Sequence, residues 1–127
     1  MINDLEIDYN KIFSDRTKKL AISIINELSE ISFSDKVSVI RKQIFRSSSS
    51  TASNYRAMCR ARSNNEKYAK ICIVVEEADE TVFWLEVIEE VNMMKDLEVL
   101  QSFKKEATEI LNVTAAYKKK LGEDLKK

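Results

Sequence analysis

The stretch Arg46-Ser47-Ser48-Ser49-Ser50-Thr51-Ala52-Ser53-Asn54-Tyr55-Arg56 decides how this chain is divided. Four serines in a row often mark a flexible linker, and a linker here would cut the molecule in two. The flanking pattern argues against that. Val37, Ile40 and Ile44 before the run, and Thr51, Tyr55 and Met58 after it, share one helical face and stay in phase across the serines. The run therefore reads as the middle of a helix from Lys36 to Ala61. Small side chains there let another helix approach closely. Each hydroxyl can also bond back to a carbonyl one turn earlier, at the expected cost of a local weakening or bend.

The rest of the chain extends the same pattern. It has no proline, and its single glycine is Gly122. Without these residues tight turns and kinks are scarce, which leaves long helices joined by short polar loops. A first helix is expected from Tyr9 to Ile31, with Phe13, Leu20, Ile24, Leu28 and Ile31 as its stripe, and residues 1–8 as a loose acidic arm. Ser34 or Asp35 caps the second helix. Ser63-Asn64-Asn65-Glu66 has capping-box form and opens a third helix reaching Met94. Its expected core face is Tyr68, Ile71, Val75, Ala78, Val82, Leu85 and Ile88. After a break at Lys95-Asp96, the fourth helix presents Leu97, Leu100, Phe103, Ala107, Ile110, Thr114 and Tyr117. Gly122 ends it as a C-cap, leaving 122–127 as a tail. The fold predicted is all-α, a single antiparallel up-down-up-down four-helix bundle over residues 1–127.

Composition narrows the function. Lys plus Arg and Asp plus Glu are equal at 21 each, so the surface as a whole is no trap for phosphate, although a zero sum can hide a basic patch. Histidine is absent, which removes the commonest general base and the Glu-x-x-His pairs of a di-iron bundle. One glycine makes no phosphate-binding loop. Cys59 and Cys72 without histidine make no zinc site of the usual kind and read as small core hydrophobes. No secretory signal and no run of 18 apolar residues is present, so the expectation is a cytoplasmic protein with reduced thiols, no membrane contact and no cofactor.

Two stripes face away from the expected core. From Lys36 to Arg62 there is no acidic residue. Lys42, Arg46, Ser49, Ser53, Arg56 and Arg60 fall within about 40° of one line, opposite the Ile40, Thr51 and Met58 face. Lys42, Arg46, Arg56 and Arg60 are the candidate contacts to phosphate or to a partner's acids. The third helix carries the reverse. Glu76, Glu80 and Glu90 lie on an outward line shared by Phe83, Val87 and Met94. Apolar groups within an acidic outer stripe mark a candidate interface, here Glu76, Glu80, Phe83, Trp84, Val87 and Glu90. Trp84 reads equally as interface anchor or core rim, and Tyr55 as core with its hydroxyl at the helix edge. The two stripes fit a head-to-tail contact between copies. They fit equally a direct pairing of neighbouring helices within one subunit.

Arg46 to Asn54, followed by Arg56, Arg60 and Ser63, together with Glu80-Thr81-Val82-Phe83-Trp84-Leu85, resembles a known pattern. It is similar to the four-helix-bundle proteins of intervening sequences in bacterial 23S ribosomal RNA genes. The match is good over residues 37–92. The resemblance implies a left-handed antiparallel bundle that assembles as a ring-shaped homopentamer. It also implies kinship with the accessory protein of diversity-generating retroelements, a basic pentamer that binds nucleic acid and a reverse transcriptase. This chain is neutral where that relative is basic, and Ala57 stands where many relatives carry glutamate. The function expected is a non-catalytic oligomeric scaffold that binds a protein or nucleic-acid partner. The alternative is an RNA- or DNA-binding accessory protein of a retroelement or intervening sequence. A carboxylate-based metalloenzyme is the remote third reading.

Overall fold

A computed structural model describes residues 4–127, with side chains from Tyr9 onward. It contains four helices, α1 (Asp4–Ser29), α2 (Asp35–Cys59), α3 (Asn64–Glu90) and α4 (Leu97–Leu125). Each helix packs on the next, and α4 closes weakly on α1, so α1 lies diagonal to α3. The pairs run antiparallel. Phe13 near the start of α1 meets Tyr55 near the end of α2, with ring centroids 6.4 Å apart. No described helix is long and apolar enough to cross a membrane.

The serine run is helical throughout. Ser47 and Ser48 are buried and carry the core face across the gap between Ile44 and Thr51. The hydroxyls are satisfied locally: Ser47 Oγ donates to the Ile44 carbonyl at 3.3 Å, Ser48 Oγ to the same carbonyl at 2.7 Å, and Thr51 Oγ1 to the Ser47 carbonyl at 2.8 Å. Thr17 and Thr114 do the same on α1 and α4, at 2.8 and 2.7 Å. Among the described residues six buried serines and threonines thus sit inside an otherwise apolar core, and none leaves an orphaned hydroxyl.

Helix ends follow their caps. Ser34 accepts from the Val37 N–H, Ser63 from the Glu66 N–H and Asp96 from the Val99 N–H, each at 3.1 Å. The expected capping box is shifted by one residue, because the Glu66 carboxylate accepts from the Arg62 N–H at 2.8 Å. The third helix stops at Glu90 rather than Met94. Asn92 adopts a left-handed φ of 56°, the Met93 N–H bonds the Ile88 carbonyl at 3.1 Å, and the Asn92 N–H bonds Glu89 at 3.2 Å. This is a Schellman ending with asparagine in the place glycine usually takes. It turns Met93 and Met94 inward, so Met94 is buried and does not join the outer acidic line.

Other expectations are corrected at the margins. Helix α1 begins at Asp4, not Tyr9, so the proposed loose arm is helical from there; residues 1–3 lie outside the described residues. Gly122 caps nothing, because α4 continues to Leu125. A Cβ at Gly122 would stand 3.1 Å from the Tyr68 ring edge, so this glycine accommodates a close approach of α3. On α3 Val74 and Thr81 join Ile71, Ala78, Leu85 and Ile88 as buried positions, while Val75 and Val82 are only half-buried. The buried Thr81 hydroxyl has the Ser47 hydroxyl of α2 and the Glu77 carbonyl of its own helix within reach, each at 2.9 Å. Leu97 is 61% exposed, and Leu121 takes the core place at the far end of α4.

Candidate interaction surfaces

On α2 the outward line is as expected: Lys42, Arg46, Ser49, Ser53, Arg56 and Arg60 are all exposed. They do not behave alike. Arg46 reaches across to α3, where Nη1 donates to Glu77 at 2.8 Å and Nη2 to Glu80. These hydrogen bonds, Glu80 first, raise the Arg46 pKa further above its ordinary value. Of the two arrangements the stripes allow, direct pairing within one subunit is realised at Arg46 and Glu80. Lys42, Arg56 and Arg60 meet no described carboxylate within ion-pair distance.

Along α3, Glu76 and Glu90 are exposed and unpaired among the described residues, and Phe83 is 52% exposed. Trp84 and Val87 are half-buried against the core. Phe83 and Trp84 meet edge to face, centroids 4.9 Å apart at 78°, a favoured geometry for an aromatic pair. The Trp84 Nε1–H is buried without a hydrogen-bond partner. A buried donor in that condition costs stability, so Trp84 is held there by its ring contacts rather than its polar atom.

Two arginines that the pattern of the sequence did not single out matter more to the fold. Arg41 Nη1 donates to the Leu28 and Ile31 carbonyls at 3.0 Å each, closing the end of α1, which has no basic residue in its own last turn. Arg16 joins α1 to α4 through Glu106 (Nε, 2.9 Å) and Glu109 (Nη1, 3.2 Å) and lies 4.7 Å from the Phe13 ring centroid. Its pKa is raised, chiefly by the Glu106 hydrogen bond. The partners are more than 90 positions apart in the case of Glu109, beyond any local signal. Glu89 accepts from Lys104 at 2.6 Å and from Gln101 at 2.5 Å, which holds its carboxyl below the ordinary value.

Among the described residues no three of His, Cys, Asp and Glu converge to hold a metal. Cys59 and Cys72 are free and half-buried, and burial pushes the Cys59 thiol up, away from a reactive thiolate. Tyr55 is buried in the core, which raises its phenol pKa strongly.

Fold and surface together define a four-helix bundle with a largely apolar interior and charged outer faces. Residues 10–116 match the model of the 23S rRNA-intervening sequence protein family, and the chain belongs to that family. It is similar to the crystal structure of a protein of unknown function from the S23 ribosomal protein family of Bacteroides thetaiotaomicron. That match has a TM-score of 0.77 and 28% identity, and covers 87% of this chain and 97% of that one. No curated protein matches the sequence.

Proposed function

We propose that this protein is a non-catalytic, homo-oligomeric scaffold that offers the basic line of α2 to an anionic partner, with a ring of five copies as its assembly. The observation that carries the reading is the contrast along α2. Arg46 is occupied by Glu77 and Glu80, whereas Lys42, Arg56 and Arg60 stand exposed on the same line without a described acidic partner. The exposed Phe83 among the acids of α3 supports self-association. The lack of histidine supports a role without acid–base catalysis. The reading assigns the protein to the cytoplasm, where both thiols stay reduced.

RNA is the nucleic-acid form of that partner, favoured by the same three bases and by the family's link to intervening sequences of ribosomal RNA. Native mass spectrometry of the purified protein, alone and with RNA, tests both parts. A five-copy species is expected. A variant carrying K42Q, R56Q and R60Q should lose about tenfold or more in RNA affinity and show a shallower salt dependence. A monomer spectrum would remove the scaffold, and RNA binding unchanged by the triple variant would remove the basic line as its site.

A further inference from the structure

Between α1 and α2 runs a shallow groove of about 240 Å³, floored by Ala21, Ile22 and Ile25 on one side and Ser49, Ala52 and Ser53 on the other. The small residues of α2 open it, and Ile22, 48% exposed, leaves apolar surface in water. The charged groups that line it are Lys18 and Arg56, one from each helix, both positive and neither paired with a described carboxylate.

The complementary shape lies on α3. Phe83 projects into solvent with Trp84 braced against its edge. Glu76 and Glu90 lie one heptad to either side of it, nearly on its line, and Asp79 and Glu86 lie one turn away. All four acids are exposed, and none belongs to a described ion pair. An aromatic ring collared by unpaired like charges is poorly suited to water and well suited to a basic, apolar cleft.

We propose that Phe83 of one copy seats in the α1/α2 groove of a second copy, with its acidic collar against Lys18 and Arg56, so that in the assembly Arg56 faces a neighbour's acids and Lys42 and Arg60 carry the basic line's contact to the anionic partner. The proposal rests on the homo-oligomer reading above and gives that assembly a specific contact. Helix α1 is diagonal to α3, so knob and groove open on different sides of one subunit. The contact is heterologous, each copy donating a knob to one neighbour and a groove to the other. An exposed aromatic ring, braced by a neighbouring ring and seated in an apolar groove, has the anatomy of an interface hot spot.

Complementation tests it. Ser53→Trp fills the groove and leaves the knob, while Phe83→Ala removes the knob and leaves the groove; both sites are exposed, and circular dichroism checks that the helices persist. Each variant alone should be monomeric by analytical ultracentrifugation under conditions where the wild type is oligomeric. Mixed one to one, they should form a heterodimer and nothing larger, because only one working interface remains. If a variant loses helix, K18E/R56E and E86K/E90K serve instead: each should dissociate alone, and mixing should restore association. Variants that stay oligomeric, or mixtures that stay monomeric beside an oligomeric wild type, would overturn this contact and leave the oligomer intact. A wild type that is monomeric throughout would overturn both.

Discussion

Ser47 Oγ of α2 lies 2.9 Å from Thr81 Oγ1 of α3, with both residues buried in the middle of the bundle. Ser47 Oγ also lies 3.3 Å from the Ile44 carbonyl, and Thr81 Oγ1 lies 2.9 Å from the Glu77 carbonyl. The bridge is therefore built on hydroxyls that each have a backbone acceptor of their own helix within reach. It places a polar, directional contact between two helices whose other core contacts are apolar and non-directional.

Truncating Ser47 to alanine should cost only about 1 kcal/mol, because Thr81 keeps the Glu77 carbonyl. Ser47→Leu should cost about 1–3 kcal/mol, since the site is filled and extra methylenes force α2 and α3 apart. Ser49→Ala, on the exposed side of the same run, should stay within about 0.5 kcal/mol of wild type. Chemical denaturation of the three variants reads the order directly. Equal losses at Ser47→Leu and Ser49→Ala would contradict the placement of the run.

Arg41→Met keeps the aliphatic stem but strips the Leu28 and Ile31 carbonyls of their charged donor. A loss of about 1–2 kcal/mol is expected, seen as a melting temperature several degrees lower. The adjacent Lys42→Met should change stability by less than about 0.5 kcal/mol, because Lys42 is exposed and without a described partner.

Glu89 ionises below the ordinary glutamate value of 4.5, first through its Lys104 hydrogen bond and then through Gln101. A carboxyl whose folded pKa is lowered supports the fold above its unfolded pKa, and that support fades as pH falls through the folded value. The window therefore opens below pH 4.5. In a carboxyl-carbon NMR titration, Lys104→Met should move the Glu89 midpoint up toward 4.5, while Lys105→Met leaves it in place. Glu89 is solvent-facing, so the change in global stability should be small.

Gly122→Ala gains helix propensity of about 1 kcal/mol but presses a methyl to 3.1 Å from the Tyr68 ring. The gain should be muted in the wild type and fuller in a Tyr68→Ala background. A double-mutant cycle by thermal denaturation measures the difference. Additive effects would mean that the ring and the glycine do not meet.

The number of helices, most of their core faces and the caps at Ser34 and Ser63 were legible because each depends on residues within a turn or two of one another. Val37, Ile40, Ile44, Thr51, Tyr55 and Met58 are all buried as their spacing requires, and Ser34 and Ser63 cap the helices that follow them, whereas the cap at Asp96 showed in the sequence only as a break. The C-terminal end of α3 was not legible, because Asn92 performs a task that glycine usually signals. The outer stripes were legible as stripes: hydrophobic phase alone puts Lys42, Arg56 and Arg60 outside.

What the amino-acid order determined by itself was the periodic part of the molecule, meaning four rods and which side of each is greasy. Phase along a helix is set by neighbours three and four positions away, so it is written locally. Only the tertiary structure decided which polar groups find one another. Arg46 is held by Glu77 and Glu80, Arg16 by Glu106 and Glu109, Arg41 by the carbonyls of the preceding helix, and Ser47 by Thr81. These contacts depend on the rotation and offset of packed helices, to within the few tenths of an ångström over which a hydrogen bond forms or fails.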